Sequence, residues 1–500
     1  MSIDKLALCL FNHRLKSVDK YYYIPETIQD NQLKRLIHTA RNTVWGKDYD
    51  FSSIHSYTDF AQRIPIQDYE DAKLYINRMI RGEKNILWPG KVSWFAKSSG
   101  TTNDKSKFLP VSRQALSECH YRGGMDTVAI YMRNNPNSRL FSGKGLILGG
   151  SNKPTDYNRH IKVGDLSAVL IENINPIANI FRSPSKKIIL MSEWVAKLEA
   201  ICKATFHRNI TSLSGVPSWF LVLIKKVLEQ TGKSDLTEVW PNLEVFFHGG
   251  ISFTPYKEQY KLLIPSDKMH YQETYNASEG FFAIQNDSMD SSMQLCLDYG
   301  IFYEFIPLED IDSDNPRIYP LAEVELNKNY ALVISTSSGL WRYKIGDTVK
   351  FTSKAPYKII ITGRTKHYIN AFGEELMIAN AEKALEKACQ ASGAKIREYT
   401  VAPMYMSFQF KGRHQWLIEF EQMPSDMSLF TQSLDSNLKS LNSDYEAKRY
   451  MDMTLEMPEI ITARPNLFYD WLSSKGKLGG QHKIPRLCNT REYLEQLLQM

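Results

Sequence analysis

What the chain lacks narrows it first. Its six cysteines, Cys9, Cys119, Cys202, Cys296, Cys389 and Cys488, stand far apart and never form a C-x-x-C pair. Neither a zinc site nor a redox dithiol is indicated, and free thiols in a reducing cytosol are the expectation. No stretch approaches the roughly 20 apolar residues that span a bilayer. The run Leu6–Phe11 is short for a signal-peptide core, and no small-residue cleavage site comes after it. A soluble, cytoplasmic protein with no membrane partner is expected. There is no basic tract either. The balance of 61 basic against 55 acidic residues leaves +6, mild for 500 residues, so no nucleic-acid partner is expected. The G-x-x-x-x-G-K-[ST] phosphate loop is absent, as are internal repeats and low-complexity tracts.

What remains is an ordinary globular composition, 43% hydrophobic and 23% charged, in a chain long enough for two or three domains. Residues 1–90 read as polar helices. Ile28–Val44 carries helical spacing, and Asp68 is placed to cap a helix through Ile80. No chemistry shows there; packing and a lid are expected. From Val92 to Thr362 strand-like and helix-like runs alternate. Strands are expected at Val92–Ala96, Gly145–Gly150 and Leu243–Phe247, with a helix from Pro217 stopped by Gly232. Alternation of this kind predicts an α/β domain. Five further strands come next with little helix between them: Ile301–Ile306, Val324–Leu326, Ala331–Thr336, Thr348–Thr352 and Lys358–Thr362. They predict a meander or small β-barrel at the edge. Gly363–Lys366 reads as a polar turn. Beyond it Asn380 is expected to cap a helix through Ala391, with strands at Glu398–Ala402 and Trp416–Glu421 and a helix at Leu429–Leu441. The expected organisation is an N-terminal domain over 1–362, a hinge at 363–366 and a smaller mobile α+β domain over 367–500.

Four polar stretches carry possible chemistry. Ser98-Ser99-Gly100-Thr101-Thr102-Asn103-Asp104-Lys105-Ser106-Lys107 comes directly after a strand. Its hydroxyls and N–H groups can donate to phosphoryl oxygens, Gly100 permits close approach, and Lys107 adds a positive charge. A surface loop is the alternative. In Tyr271-Gln272-Glu273-Thr274-Tyr275-Asn276-Ala277-Ser278-Glu279-Gly280 the Glu279 carboxylate can hold Mg²⁺ and the Tyr275 ring can stack on a base. A capped turn with a solvated glutamate is the alternative. Gly339-Leu340-Trp341-Arg342-Tyr343-Lys344-Ile345-Gly346-Asp347 can offer a carboxylate to vicinal hydroxyls, or be a plain β-turn. Arg364, in Gly363–Lys366, can reach a ribose or phosphate, or sit in a linker.

Taken together and in this order, the stretches resemble the adenylate-forming, luciferase-like superfamily. More narrowly they resemble the plant auxin- and jasmonate-responsive acyl-acid amido synthetases (the Gretchen Hagen three family) and their bacterial relatives. Ser98–Pro110 matches the family's Ser-Ser-Gly-Thr-[Ser/Thr] element with its Lys and Pro. Tyr275–Glu279 matches Tyr-x-x-Ser-Glu, and Tyr343–Asp347 matches Tyr-Arg-x-Gly-Asp. Gly363–Lys366 matches the superfamily hinge, and Gln481-His482-Lys483-Ile484-Pro485-Arg486 matches Gln-x-Lys-x-Pro-Arg. Two departures stand out. Asp104 replaces a second loop glycine and puts a carboxylate beside phosphates. Lys344 replaces an arginine, which keeps the charge and loses bidentate geometry.

The resemblance implies ATP and Mg²⁺ as cofactors, and a small carboxylic acid and an amino acid as substrates. It implies acyl-AMP formation and then amide formation, by a monomer or homodimer. Ser98, Ser99, Thr101, Thr102 and Lys107 would hold phosphates and Glu279 the Mg²⁺. Gly249, Tyr275 and Ser278 would flank the nucleotide, with the turn His248-Gly249-Gly250 beside adenine. Asp347 and Arg364 would take the ribose hydroxyls. Lys483 would enter as a catalytic residue, and the small domain would swing about Lys366. The acyl pocket is expected along Ser112–Tyr131 and Gly145–Asn152, with Arg122 a possible carboxylate partner. Thioester formation with coenzyme A, and nucleotide binding without catalysis, are the alternatives.

Overall fold

A computed structural model of the chain describes residues 3–99, 106–150, 152–154, 161–311, 313, 315–365, 368–406, 411–452, 454–474 and 485–500. Helices are set where local signals place them. Asp68 accepts from the Glu70 and Asp71 N–H groups and starts the helix Tyr69–Ile80. Pro217 opens Pro217–Thr231, and Gly232 closes it with φ 66°. No helix among the described residues is long and apolar enough to cross a membrane.

Among the described residues, sixteen strands build the larger part. They are β1 (Trp94–Ser99), β2 (Ser106–Val111), β3 (Lys144–Ile147), β4 (Asn152–Pro154), β5 (Lys162–Gly164), β6 (Arg182–Ser183), β7 (Ile210–Gly215), β8 (Val245–Gly249), β9 (His270–Ala277) and β10 (Gly280–Ile284), continuing with β11 (Met293–Leu295), β12 (Ile301–Pro307), β13 (Tyr319–Pro320), β14 (Asn329–Thr336), β15 (Tyr343–Lys354) and β16 (Tyr357–Arg364). A four-stranded sheet runs β2-β1-β5-β4. A twelve-stranded sheet runs β13-β12-β14-β15-β16-β11-β10-β9-β8-β7-β3-β6. Strands β6, β3, β7, β8 and β9 are mutually parallel, whereas β9 pairs antiparallel with β10. The sheet therefore changes character at β9, and the crevice beyond the carboxyl ends of the parallel strands is where such folds bind ligands.

The expected small barrel is not a separate body. The meander forms, but β11 joins β16 to β10, so it is one half of the large sheet. Within it, β12 is covered on both faces, with every residue buried. The helix Pro25–Ala40 packs over β12 through Gln29, which donates to the Leu297 and Ile301 carbonyls and accepts from the Tyr303 N–H. Two further expectations need correction. Val324–Leu326 is no strand; Leu326 makes a single bridge to Phe351 after a 3₁₀ turn. Gly363 and Arg364 are not in a turn but end β16, because Arg364 pairs in register with Asp347.

The C-terminal part is the expected α+β unit. Strands β17 (Tyr368–Ile369) and β18 (Leu376–Met377) form one small sheet. Strands β19 (Lys395–Met404), β20 (Arg413–Gln422) and β21 (Glu459–Thr462) form a three-stranded one. Asn380 lies inside the first turn of the helix Ile378–Ser392, where its side chain accepts from the Met377 N–H rather than standing at the cap. This unit docks on the larger part through main-chain oxygens: Tyr256 Oη donates to Ala371 at 2.5 Å and Ser218 Oγ to Phe372 at 3.1 Å. One apolar core runs continuously from Leu146 and Phe246 to Phe372 and Trp416.

Candidate active site

A cleft of about 2110 Å³ opens beyond the parallel strands and extends to the C-terminal unit. Four separate segments reach it.

The first is the hairpin β1–β2. Ser98 lies opposite Lys107 across it, and both side chains line the cleft. Tyr69, the first residue of the Asp68-capped helix, sits beneath them. Its hydroxyl accepts from the Phe108 N–H at 3.0 Å, and Lys107 Nζ lies 5.8 Å from its ring centre. The N-terminal helices thus have a role that the sequence hid: one of their caps fixes the ring under the cleft lysine. Ser99 ends β1. Thr101, Thr102 and Asp104 lie outside the described residues.

The second segment is the pair β8–β9. Gly249, at the end of β8, is so close to β9 that a Cβ would stand 2.4 Å from the Thr274 carbonyl oxygen. The parallel pairing continues to Gly249 for want of a side chain there, and this brings the His248-Gly249-Gly250 turn to the cleft wall. Strand β9 then turns into β10 through two residues, Ser278 and Glu279, between the paired Ala277 and Gly280. Both line the cleft. Burial pushes the half-buried Glu279 carboxyl up to about 7, against the opposing pull of Lys107.

The third segment is β15–β16. The Tyr275 hydroxyl donates to Asp347 Oδ2 at 2.6 Å, and Arg364 Nε donates to Asp347 Oδ1 at 2.7 Å. The Arg364 guanidinium lies 4.8 Å from the Tyr368 ring centre. Asp347 is therefore held from two sides while it and Arg364 still line the cleft. Tyr275 is 4% exposed, with its ring tilted against Phe282 at 4.8 Å. Beyond any contact with a base, it positions Asp347. Lys344 of the same motif contributes its N–H to the Gln67 carbonyl. Its neighbour Arg342 makes the buried anchor: the guanidinium pairs with Glu304 at 2.8 Å and donates to the Ala61 and Ile64 carbonyls.

The fourth segment is the C-terminal unit, which brings Tyr368, Asn370, Glu375, Lys448 and Asn489 to the cleft. Lys366 and Gln481–Ile484, with Lys483, lie outside the described residues. Pro485 and Arg486, just after them in the chain, are fastened to β19: the Val401 N–H donates to the Arg486 carbonyl and Thr400 Oγ1 to that of Pro485.

From the two segments expected to line an acyl pocket, His120, Tyr121, Gly124 and Thr127 of the first and Ile147, Leu148 and Gly150 of the second line the cleft. Arg122 is not part of it; its guanidinium donates to the Asp298 carbonyl at 2.9 Å. Sequence reasoning passed over Glu273 and Lys448. Glu273 stands in the same stretch two residues before Tyr275, so strand alternation puts the two on one face. It lines the cleft and burial pushes its carboxyl up to about 7. Lys448 lies on the polar helix Ser443–Arg449 and carried no signal.

The chain matches the model of the GH3 family N-terminal domain over residues 14–269, the central domain over 294–364 and the C-terminal domain over 379–492. The chain belongs to the GH3 family. Among GH3 relatives, the indole-3-acetic acid-amido synthetase GH3.4 of Arabidopsis thaliana is 25% identical, with 97% of this chain and 92% of that protein covered. The 4-substituted benzoates-glutamate ligase GH3.12 of Arabidopsis thaliana is 22% identical, with 94% of each covered. Solved structures share the fold. The acyl acid amido synthetase AtGH3.15 in complex with 2,4-DB superposes with a TM-score of 0.63 at 18% identity, covering 97% of this chain and 95% of that one. A 2-hydroxyisobutyryl-CoA ligase in its thioesterification state gives 0.53 at 14% identity, covering 99% and 92%. The fold of this chain is thus one that an acyl acid amido synthetase and a CoA ligase share.

Proposed function

We propose that this GH3 chain is an AMP-forming ligase. It activates a small carboxylic acid with ATP and passes the acyl group to the amine of an amino acid. One observation carries the reading. Ser98 and Lys107, Ser278 and Glu279, and Asp347 with Arg364 come from three separate segments, yet they line one cleft that reaches the C-terminal unit. The names of the amido synthetase and glutamate ligase relatives support the same chemistry.

In the first step the acid's carboxylate oxygen attacks the α-phosphorus of ATP, and pyrophosphate leaves. Ser98 and Lys107, with Ser99, Thr101 and Thr102, bind the phosphates and offset their charge. Asp347, aligned by Tyr275 and Arg364, receives the ribose hydroxyls. Gly249 lets the main chain approach the base. Glu279 fits a Mg²⁺ held mainly by the triphosphate. Its carboxylate stands close enough to Lys107 to feel that charge, and no group of three metal-ligating side chains stands among the described residues. The ion would supply charge neutralisation. In the second step the amine attacks the acyl carbon, AMP leaves, and a C–N bond replaces the mixed anhydride. Lys483 completes the first step. The C-terminal unit, 367–500, moves about 363–366 between steps.

The experiment is product analysis. The protein, ATP, Mg²⁺ and a panel of acids are offered amino acids or coenzyme A, and products are read by mass spectrometry. An N-acyl amino acid is expected. A thioester with no amide identifies a coenzyme A ligase and overturns the reading.

A further inference from the structure

The cleft holds more than acyl adenylate needs. Its volume of about 2110 Å³ exceeds the roughly 300–1,000 Å³ typical of small-molecule sites. Four lysine or arginine side chains line it among the described residues. Lys97 and Lys107 belong to the phosphate hairpin, and Arg364 is paired with Asp347. Lys448 is left.

Lys448 is 5% exposed, yet its Nζ has no hydrogen-bond acceptor or ion-pair partner within reach among the described residues. It instead lies 3.8 Å from the ring centre of Trp219, which comes from the larger part of the chain. Gly373, at φ +89°, gives the lysine stem its room: a Cβ there would stand 3.1 Å from Lys448 Cε. Burial pushes the ammonium down to about 8, while Asp444, Asp165, Glu374 and Glu375 act on it in the other direction. Glu374 is committed to the Ala371 and Phe372 N–H groups and to His414. Asp165, Glu375 and Asp444 line the cleft. Among the described residues the junction of the two parts thus offers the cleft a buried cation, held on a ring and by no acid, which suits the carboxylate of a ligand.

We propose that Lys448, seated on Trp219, binds the α-carboxylate of the acceptor amino acid. The inference rests on the amido synthetase reading above and assigns its second substrate to the part of the cleft where the C-terminal unit meets Trp219. An uncharged amine or coenzyme A has no α-carboxylate to place there.

The test compares wild-type, Lys448→Met and Lys448→Arg full-length proteins. Acid-dependent ATP–pyrophosphate exchange reads the first step. Amide synthesis with the best acceptor among the standard amino acids, and with that amino acid's α-carboxamide, reads the second. Lys448→Met is expected to raise the amino-acid KM by roughly 10-fold or more, the size of a lost charged hydrogen bond. It should leave exchange within about threefold of wild type and erase the preference for amino acid over carboxamide. Lys448→Arg keeps the charge, controls for folding and should retain part of the preference. An unchanged KM and preference in Lys448→Met overturn the proposal. A fall in exchange equal to the fall in amide synthesis also overturns it, by placing Lys448 in the first step. If the wild-type protein forms no amide with any amino acid, the parent reading itself fails.

Discussion

Replacing Tyr275 with phenylalanine isolates one hydrogen bond. The ring, its packing on Phe282 and any stacking on a base survive. What goes is the 2.6 Å bond from the hydroxyl to Asp347 Oδ2. Asp347 keeps its 2.7 Å contact with Arg364 Nε on the other oxygen, so the carboxylate stays charged but is free to turn. A hydrogen bond to a charged group contributes about 1.5–3 kcal/mol, which converts to roughly 10- to 150-fold in rate. The loss should appear in kcat/KM for ATP, measured by acid-dependent pyrophosphate exchange, with the thermal midpoint little changed. Arg364→Met removes the second support. Because both act on one carboxylate, the double variant should lose less than the product of the two single losses. Exchange within twofold of wild type in the Tyr275→Phe variant would refute the reasoning, since Asp347 would then need no positioning or contact no substrate.

Buried charge sets two further outcomes. Arg342→Met strips the partner from Glu304, whose side chain is 0% exposed, and should destabilise the fold by about 3–5 kcal/mol in urea unfolding; adding Glu304→Gln should recover part of that loss, and equal or additive losses would contradict it. Burial pushes His248 from an ordinary 6.5 down to about 3, so the fold excludes a proton that the unfolded chain binds below 6.5. Stability therefore falls as pH falls from 6.5 toward 3, by about 1.4 kcal/mol per unit from this residue. The unfolding free energy of His248→Phe should be less steep than wild type by that slope between about pH 4.5 and 6; equal slopes would place His248 in contact with solvent.

Local features of this fold were readable because their causes are local. Asp68, Pro217 and Gly232 act within one turn of helix, and the strands of the meander are short apolar runs. The sheet that unites them was not readable. Nothing near Met293–Leu295 announces that β11 bridges β16 to β10. The same limit explains Gly363-Arg364: it has the composition of a turn, and only its register with Asp347 makes it strand. At the site, Ser98, Lys107, Glu279, Asp347 and Arg364 were found because motif order is preserved along the chain. That Tyr275 and Arg364 converge on one carboxylate, or that Arg122 is drawn off to Asp298, depends on contacts across many residues. Lys448 was invisible for a simpler reason. On its own helix it is one polar residue among several, and only the docking of the C-terminal unit on Trp219 buries it.

The central claim is that this one cleft adenylates a carboxylic acid. Acid-dependent exchange of labelled pyrophosphate into ATP, run with Mg²⁺ over a broad panel of aryl and aliphatic acids, tests it most directly. Exchange is expected with at least one acid, and it should collapse in Lys483→Ala while ATP still binds. No exchange with any acid would contradict the claim, and full exchange in the Lys483→Ala variant would remove that lysine from the chemistry.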